Sequence, residues 1–456
     1  MSMRKHILLL AVVVAVNACG SEDLPLIEPI PDSVYVSTPA AAALAPLAAT
    51  RPGEQAFVDL ASYDPTFAGY YFLDGDHLVV ATTDTSRSEE IRRAATDKMS
   101  QISPSGTLVP DQVTILQVDY SFRQLSLWRD MIEYSLLDID DVVAVDLDEI
   151  LNRITVYLDT GGGANRVSAI AEQFQVPEAA LHFEVSGKIE PAVDLIPSAV
   201  DKTLTDRIRP VKAGVQVARQ ISSERMKACT LGFTATMKSY SGPQIVRDTV
   251  YLTNSHCTST NFHVDGDIGW QPTPTGWESD KIGIETADPP PDHYNGDTPL
   301  RDSDAAAFDL LLSPDRYALG KIARTTYRTF GAGGARGSII ISASNPHFTV
   351  SGEWTWPVAG RYYQKMGITS GWTYGGIQAT CSTVKSGGKY ITCAYKINTR
   401  TEDGDSGAPV FEWPDASVDA VYLAGMMFGR STWSGKGWFN PMGAIEDDMG
   451  PLGTTF

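Results

Sequence analysis

The first half of the chain combines two hydrophobic periods. Apolar runs in Tyr70–Leu73 and His77–Ala81 predict two strands, and Asp74-Gly75-Asp76 between them is typical of a hairpin turn. Apolar residues recur at helical spacing in Ser86–Ile102, which predicts a helix. This part of the chain is therefore predicted to be a small α+β region.

A strand–helix–strand unit follows in the same half. Ile154–Leu158 and Leu181–Val185 are predicted strands, and Asn165–Phe174 is a predicted helix with one apolar face. Three glycines precede that helix, but the turn lacks the Lys and the Ser or Thr of a phosphate-binding loop. We therefore predict no nucleotide site there.

The second half of the chain has a different pattern. Short runs rich in Val, Ile, Tyr and Phe recur between clusters of Gly, Ser, Asn and Pro, which is typical of an all-β sandwich or barrel. The predicted strands are Val250–Thr253, Ala305–Leu312, Ser338–Ser342, Phe348–Val350, Tyr390–Lys396, Ala408–Phe411 and Val421–Phe428.

Charge separates the same two halves. The 456 residues include 36 Lys and Arg and 55 Asp and Glu, a net charge of −19. Residues 1–202 hold 13 of the basic and 30 of the acidic side chains, so −17 of the charge lies there and −2 in the rest. Such a chain lacks the diffuse positive field that nonspecific nucleic-acid or anionic-membrane binding requires. A domain boundary is predicted between residues 202 and 203.

The start of the chain is typical of an export signal. Arg4 and Lys5 precede an apolar run over Ile7–Val16, which is shorter than the roughly 20 residues that a membrane-spanning helix needs. The segment before Cys19 also resembles a bacterial lipoprotein signal, in which the cysteine becomes the lipidated first residue. The alternative is an ordinary secretory cut without lipid. Residues 1–19 are thus predicted to be a signal peptide, and the Pro- and Ala-rich residues 20–56 a flexible tether.

Three segments of the second half carry chemistry. In the first, His256 ends an apolar strand and precedes Cys257; these two could belong to a zinc site, but no second pair lies at ligand spacing. In the second, Asp304 leads into a buried-looking strand, where it is either a hydrogen-bonded buried carboxylate or a solvated strand cap. In the third, glycines flank Ser406 in a turn that can aim backbone N–H groups at one point.

Together these segments resemble the chymotrypsin-like serine proteases, in particular the bacterial streptogrisin and α-lytic branch. The order His256, Asp304, Ser406 is the one that this family uses, and Gly404–Gly407 has its Gly-Asp-Ser-Gly motif. The segment beginning at Cys229 is similar to the bacterial one whose cysteine bridges to the residue beside the histidine. The resemblance covers roughly residues 210–456 and implies two six-stranded antiparallel β-barrels in domain 203–456.

The resemblance also implies roles for individual residues. Ser406 is the expected nucleophile, His256 the base and Asp304 the residue that orients the imidazole. The backbone N–H groups of Gly404 and Ser406 are expected to form the oxyanion hole. Asp302 and Asp309 are rivals for the acidic role.

A second carboxylate in the motif needs a partner. Asp405 would be buried under the loop, and in the bacterial branch a basic side chain neutralises it. Lys365 stands at the matching place before a Thr-Ser-Gly turn. We therefore expect an ion pair between Lys365 and Asp405; the alternative is a solvated lysine.

The expected substrate-binding residues depart from the family pattern. Thr401 and Glu402 are expected on one wall of the primary pocket, and Phe428, Gly429 and Arg430 on the strand edge that holds substrate. Phe428 and Arg430 are bulkier than the family pattern. They are expected to narrow the pocket, to favour small or acidic side chains, or to block ordinary substrates.

The five cysteines divide into one and four. Cys19 belongs to the export signal. By resemblance Cys229 pairs with Cys257, and Cys381 is expected to pair with Cys393 across a hairpin, although four cysteines allow three connectivities. Disulfides fit an exported protein, lipid-anchored to the bacterial cell envelope or extracellular.

These observations leave three function classes. The first is a serine endopeptidase acting on polypeptides; the others are a catalytically impaired homologue that serves as a binding module and an esterase on the same barrel. Residues 57–202 are expected to be a pro-region that binds and inhibits the protease domain and is cut near Thr203–Pro210. A permanent accessory domain is the alternative. No metal or organic cofactor, nucleic-acid partner or membrane contact beyond the lipid is expected.

Overall fold

The computed structural model describes residues 51–104, 112–191, 203–221, 226–241, 244–274, 278–416 and 418–456. Residues 1–50, with the predicted signal peptide and Cys19, lie outside the described residues. In the part of the chain that is described, no helix is both long and apolar enough to cross a membrane. Residues 51–191 are called the N-terminal region below.

The N-terminal region begins with a small three-stranded sheet covered by helices. Strand β1 pairs antiparallel with β2, and β2 pairs parallel with β3. The second helix buries Ile91, Ala95 and Met99, which are spaced by one turn. The elements are α1 Gln55–Tyr63, β1 Phe67–Leu73, β2 His77–Thr82, α2 Ser88–Ile102 and β3 Val113–Gln117.

A second α/β unit completes the region. Its strands lie in the order β4-β5-β6, antiparallel and then parallel. Helix α3 starts at a capping box made by Ser121 and Gln124, which satisfies N–H groups that the first turn would otherwise leave unpaired. The elements are α3 Phe122–Leu137, β4 Val142–Asp148, β5 Arg153–Leu158, α4 Ala164–Gln173, β6 Leu181–Val185 and β7 Ile189–Pro191.

The rest of the chain is mainly β, as predicted, with one short helix near its end. Its strands are β8 Val211–Ala213, β9 Gln216–Gln220, β10 Met226–Thr230, β11 Phe233–Ser241, β12 Gln244–Asn254, β13 Ile268–Trp270, β14 Lys281–Ala287, β15 His293–Asn295, β16 Thr298–Arg301, β17 Ala305–Leu310, β18 Tyr317–Ala323, β19 Thr329–Phe330, β20 His347–Glu353, β21 Tyr362–Gly367, β22 Gly371–Ser386, β23 Lys389–Arg400, β24 Pro409–Glu412, β25 Ala420–Ser431, β26 Lys436–Pro441 and β27 Leu452–Gly453, and its helix is α5 Met442–Met449.

Two large sheets form this half. The first, called the eight-stranded sheet, has the order β10-β9-β13-β14-β17-β12-β11-β27. The second contains a closed barrel of six strands, in which β22-β23-β26-β25-β24-β21 returns to β22. The all-β prediction and a closed six-stranded barrel are thus confirmed, and the other sheet has eight strands rather than the expected six.

The N-terminal region is built onto the closed barrel. Strand β4 pairs antiparallel with β22, so that β5 and β6 extend the barrel sheet. Strand β7 pairs with β22 and, antiparallel, with β25. One hydrophobic cluster runs through both parts and includes Leu136 and Val145 together with Tyr395 and Met427. The two parts therefore share a core.

Two local predictions are wrong. Residues 52–56 do not belong to the tether predicted over residues 20–56, because Pro52–Glu54 form a 3₁₀ turn that leads into α1. Glu54 is buried against Arg129, whose Nη2 lies 2.9 Å from Glu54 Oε2. The predicted strand Ser338–Ser342 is reduced to two isolated bridges at Ile340 and Ile341. Ile339 and Ile341 pack against the core without a continuous ladder, and Ile340 is exposed.

Candidate active site

His256 and Asp304 come together because their strands are neighbours. Strand β12 pairs with β17 so that Asn254 faces Ala305. His256 follows β12 in a single 3₁₀ turn, Ser255–Cys257, and Asp304 directly precedes β17. The Asp304 carbonyl accepts the Ser255 N–H and the Asn254 side-chain N–H, each at 2.9 Å. These bonds fix the backbone of both residues before their side chains meet.

The three residues expected to act together lie in one chain of hydrogen bonds. His256 Nδ1 lies 2.5 Å from Asp304 Oδ2, and His256 Nε2 lies 2.7 Å from Ser406 Oγ. The His256 backbone N–H also donates to Asp304 Oδ1 at 3.1 Å. All three side chains are buried. With the imidazole proton on Nδ1, Nε2 is left to accept the proton of Ser406.

Ser406 lies in the tight loop between β23 and β24. Gly407 has a φ of +87°, and a Cβ there would lie 2.1 Å from the Thr230 carbonyl oxygen, so only glycine fits. Thr230 holds two carbonyls of the loop: its Oγ1 donates to Gly404 at 2.8 Å and its N–H to Ser406 at 2.7 Å. The eight-stranded sheet therefore fixes a loop that belongs to the closed barrel. The N–H groups expected to form the oxyanion hole are part of this loop.

Asp405 is buried beneath the loop and fully hydrogen-bonded. Lys365 Nζ, from β21, lies 2.8 Å from Asp405 Oδ2. The N–H groups of Thr369 and Ser370 donate to Oδ1 at 3.0 and 3.1 Å, and that of Glu402 donates to Oδ2 at 3.0 Å. Neither Lys365 nor Asp405 has exposed side-chain surface. The structure thus places the expected partner next to Asp405.

A second buried lysine, absent from the sequence predictions, lies at Asp304. Lys389 Nζ, from the start of β23, lies 2.7 Å from Asp304 Oδ1, and Lys389 is 2% exposed. Burial alone would raise the pKa of the Asp304 carboxyl, but Lys389 and His256 outweigh burial and hold that pKa below its ordinary range. The contacts with Lys389 and His256 therefore favour the ionised form of Asp304.

Burial and two nearby lysines favour the neutral form of His256. Burial lowers the pKa of the His256 imidazole, and Asp304 opposes that effect. Lys389 lowers the pKa further, as does Lys227, whose Nζ donates to the His256 carbonyl. A neutral imidazole is the form that can take a proton from Ser406.

The two rivals for the acidic role make other contacts. The Asp302 carboxylate accepts a hydrogen bond from the Thr392 hydroxyl. Asp309 lies on β17 opposite Val250, away from the 3₁₀ turn that carries His256. The zinc interpretation is also wrong for Cys257, because it forms a disulfide with Cys229.

The second expected disulfide, Cys381–Cys393, joins β22 and β23. It lies beneath the N-terminal region: a Cβ on Gly53 would be 2.8 Å from the Cys393 sulfur and 2.9 Å from that of Cys381. The bond therefore stiffens the hairpin that β4 and β7 bind.

The expected substrate-binding residues make contacts with other parts of the chain. Phe428 is buried in a cluster with Ile189 and Tyr157 of the N-terminal region. Arg430 is half-buried and its Nη2 lies 3.0 Å from Asp403 Oδ1. Glu402 forms ion pairs with Arg336 and Arg400, and Thr401 is buried. Each of these four side chains is thus engaged by, or buried among, other residues of the chain.

Strand β7 covers the edge expected to hold substrate. Gly429 is paired with Pro191, Arg430 with Glu190 and Ser431 with Ile189. The approach is close, since a Cβ on Gly429 would lie 3.0 Å from the Glu190 carbonyl oxygen. The backbone of β25 therefore bonds to the chain's own N-terminal region where an extended peptide would add as a strand.

Several residues that hydrogen-bond to the triad residues are absent from the sequence predictions. Lys389 and Lys227 look like solvated lysines in the sequence, and Asn440 accepts the Asp304 N–H at 2.9 Å from 136 residues away. The signal that could have identified Thr230 is its place beside Cys229, in the segment that already resembled the bacterial pattern. No such signal precedes Lys389.

Comparison with known proteins gives structural neighbours only. No family model and no curated protein matches the chain. It is similar to Thermobifida fusca Protease A, at 17% identity and a TM-score of 0.36 over 54% of this chain and 98% of that one. It is also similar to Nocardiopsis protease, at 18% identity and a TM-score of 0.33 over 52% of this chain and 96% of that one. A third neighbour is Cellulomonas bogoriensis chymotrypsin, at 16% identity and a TM-score of 0.33 over 54% of this chain and 97% of that one. Because these identities and TM-scores are low, the roles proposed below rest on distances within this chain.

Proposed function

We propose that this chain is an exported serine endopeptidase that is held inactive by its own N-terminal region. The observation that carries the proposal is the buried chain of hydrogen bonds from Asp304 through His256 to Ser406. A serine hydroxyl aligned with a neutral imidazole, itself oriented by a carboxylate, is the arrangement for nucleophilic acyl transfer.

The reaction proceeds in two balanced halves. Ser406 Oγ bonds to the carbonyl carbon of a peptide while its proton passes to His256 Nε2, and the negative charge on the carbonyl oxygen is bound by the N–H groups of Gly404 and Ser406. The imidazolium then gives the proton to the leaving nitrogen as the C–N bond breaks. Water repeats these steps on the acyl-enzyme and releases the acid.

The latent state is proposed from strand β7. An extended peptide substrate would pair with β25, and Ile189–Pro191 already occupies Gly429 to Ser431 there. A cut between Pro191 and Thr203 would free β7 from the protease domain. The cut is expected before Thr203 rather than within Thr203–Pro210, because Thr203 and Leu204 are buried.

Export follows from the leader and the two disulfides. Disulfides persist in oxidising compartments outside the cytosol. The lipid at Cys19 is proposed from the leader sequence alone. Labelling cells with a fatty-acid analogue is expected to mark the wild-type chain and to leave Cys19→Ala unmarked; equal labelling would contradict the anchor.

The test of the activity compares Ser406→Ala with Ser313→Ala. Ser313 is exposed and makes no helix-capping bond, so it serves as the matched control. A serine-directed fluorophosphonate is expected to label the wild type and Ser313→Ala but not Ser406→Ala. Casein cleavage is expected to appear only once the N-terminal region has been removed, with new termini mapped by mass spectrometry.

The other outcomes decide between the remaining classes. Labelling at Ser406 without casein cleavage, even after processing, would favour an esterase. Absence of both labelling and cleavage in the processed wild type would mean a binding module, for which the bulk of Phe428 and Arg430 would be the reason. A fully active uncut chain would refute the latent state and leave the N-terminal region as an accessory domain.

A further inference from the structure

The triad aspartate is shared by two basic groups. Asp304 Oδ2 contacts the His256 ring at 2.5 Å, while Asp304 Oδ1 accepts from Lys389 Nζ at 2.7 Å and from the His256 N–H at 3.1 Å. All three residues are buried, so solvent does not screen the lysine. The negative charge that would stabilise an imidazolium is therefore partly neutralised by a neighbouring cation.

Lys389 is held in place by elements on both sides of its hairpin. It is paired with Ser386 across the two-glycine turn Gly387-Gly388, where φ is +58° and +80°. Strand β16 pairs parallel with β23 immediately after Lys389, so that Leu300 faces Tyr390. The segment that carries Asp304 follows β16 directly. The Lys389 ammonium also lies 4.7 Å from the centre of the Phe262 ring. The Lys389 side chain is thus held at the site by these contacts and does not extend into solvent.

The other titratable groups near this contact do not replace it. Lys227, from β10, bonds the His256 carbonyl rather than Asp304. Arg301, at the end of β16, is paired with Asp288 at 2.9 Å and with Asp448 at 3.1 Å. In the described part of the chain, Lys389 is the one lysine or arginine that forms an ion pair with Asp304.

We propose that Lys389 is a positioning residue of the triad: its ammonium holds one oxygen of Asp304 and keeps His256 in the neutral, proton-accepting form. The inference rests on the proposed function for its consequence. If Ser406 is the nucleophile, His256 remains able to accept its proton in more acidic solution than it would beside an unshared carboxylate. The acidic limb of the activity profile would then lie at unusually low pH.

The test is a titration of His256 itself, followed by NMR of the imidazole C–H in the full chain. His256→Gln assigns its signal among the seven histidines. The wild-type midpoint is expected below the ordinary value of about 6.5. Lys389→Met and Lys389→Gln remove the charge and are expected to raise the midpoint by about 1 pH unit or more, the effect of a charge at this range. Lys389→Arg is expected to keep the midpoint low.

The matched control is Lys385→Met, on the same hairpin. The Lys385 ammonium contacts the Leu137 carbonyl rather than Asp304, so its loss should leave the midpoint unchanged. The rate of fluorophosphonate labelling against pH gives a second readout, and its acidic limb should move with the NMR midpoint.

The outcomes separate this inference from the proposed function. A wild-type midpoint at or above about 6.5 would overturn the inference, even if no Lys389 variant folds. So would a reduced labelling rate in Lys389→Met with its acidic limb in place, because that pattern indicates a merely structural role. Absence of labelling with the expected shift in midpoint would instead overturn the proposed function and leave the role of Lys389 standing.

Discussion

Buried carboxylates are treated differently in two regions of this molecule. At the candidate active site, Asp304 and Asp405 are each in contact with a buried lysine, at 2.7 and 2.8 Å. At the interface between β4 and the closed barrel, Asp146 is bonded by the Ser382 hydroxyl and Glu149 by the Thr380 hydroxyl, each at 2.9 Å. Among the described residues, no lysine or arginine forms an ion pair with either interface carboxylate.

The difference separates a fixed charge from a titratable one. A lysine in contact keeps a buried carboxylate ionised, whereas a hydroxyl offers one hydrogen bond and no charge. Burial raises the pKa of Asp146, and repulsion from Asp148 adds to the effect. Burial likewise raises the pKa of Glu149, with repulsion from Asp146 second. Asp304 is therefore held ionised, whereas the protonation of Asp146 and Glu149 at the interface depends on pH.

Removing the lysine beneath the catalytic loop should give the largest effect. Lys365→Met would leave Asp405 buried with backbone and hydroxyl donors only, and breaking a buried pair in this way costs about 3–5 kcal/mol. We expect a drop of that size in the free energy of unfolding measured with urea, together with loss of Ser406 labelling.

The control for Lys365 is a surface pair. Lys98 contacts Asp59 at 2.6 Å, with side-chain exposures of 21% and 43%. Lys98→Met is expected to cost less than about 1 kcal/mol, because solvent screens such pairs. If Lys365→Met were no more destabilising than Lys98→Met, the buried lysine would not stabilise Asp405, and the distinction between the two regions would be contradicted.

The interface should weaken as pH rises. The pKa values of Asp146 and Glu149 are raised above the ordinary value of about 4 while the region is docked, so the docked form binds more protons. Docking is thus strongest in acid and is lost progressively as pH climbs from about 4 through the raised pKa values. Native-state hydrogen exchange of the β4–β22 ladder, corrected for intrinsic rates, should give a lower opening free energy at pH 8 than at pH 5.

Glu149→Gln should remove part of that dependence. The amide oxygen still accepts the hydrogen bond from Thr380 but carries no charge. We therefore expect the opening free energy of the β4–β22 ladder to rise by about 1–3 kcal/mol at pH 8 and to change little at pH 5. Glu184→Gln is the matched control, because Glu184 faces the buried Lys396 at 2.6 Å and its loss should weaken docking instead. Equal shifts in the two variants would show that the lysine partner does not matter.

The sequence predicts the chemistry of the site better than its surroundings. His256, Asp304 and Ser406 stand in short motifs, and in the motif of Ser406 the backbone itself requires glycine at Gly407, where φ is +87°. Lys389 has no such motif, since it meets Asp304 across 85 residues and looks like any hairpin lysine. Its position depends on strand pairing, which a local pattern does not contain.

In the fold as well, some elements can be predicted from a local sequence pattern, whereas others depend on pairing with distant strands. Some strands with apolar runs are predicted, among them β1, β2 and β5, and so are helices α2 and α4, whereas β4 is not predicted although it is buried throughout. Strand β7 is not predicted, because its three residues pair only with β22 and β25 and carry no period of their own. Helix α3 is absent from the predictions although Ser121 and Gln124 form a capping-box pattern that could have located its start.

The smallest expected effect compares two serines on β22. The Ser382 hydroxyl donates to Asp146 at 2.9 Å. The buried Ser386 hydroxyl has no hydrogen-bond partner within the described part of the chain. Ser382→Ala should therefore lower the opening free energy of the β4–β22 ladder by about 1 kcal/mol at pH 8, and Ser386→Ala should leave it nearly unchanged. If the two variants behave alike, the hydroxyl does not stabilise the Asp146 carboxylate, and burial by the hydrophobic cluster alone keeps the N-terminal region docked.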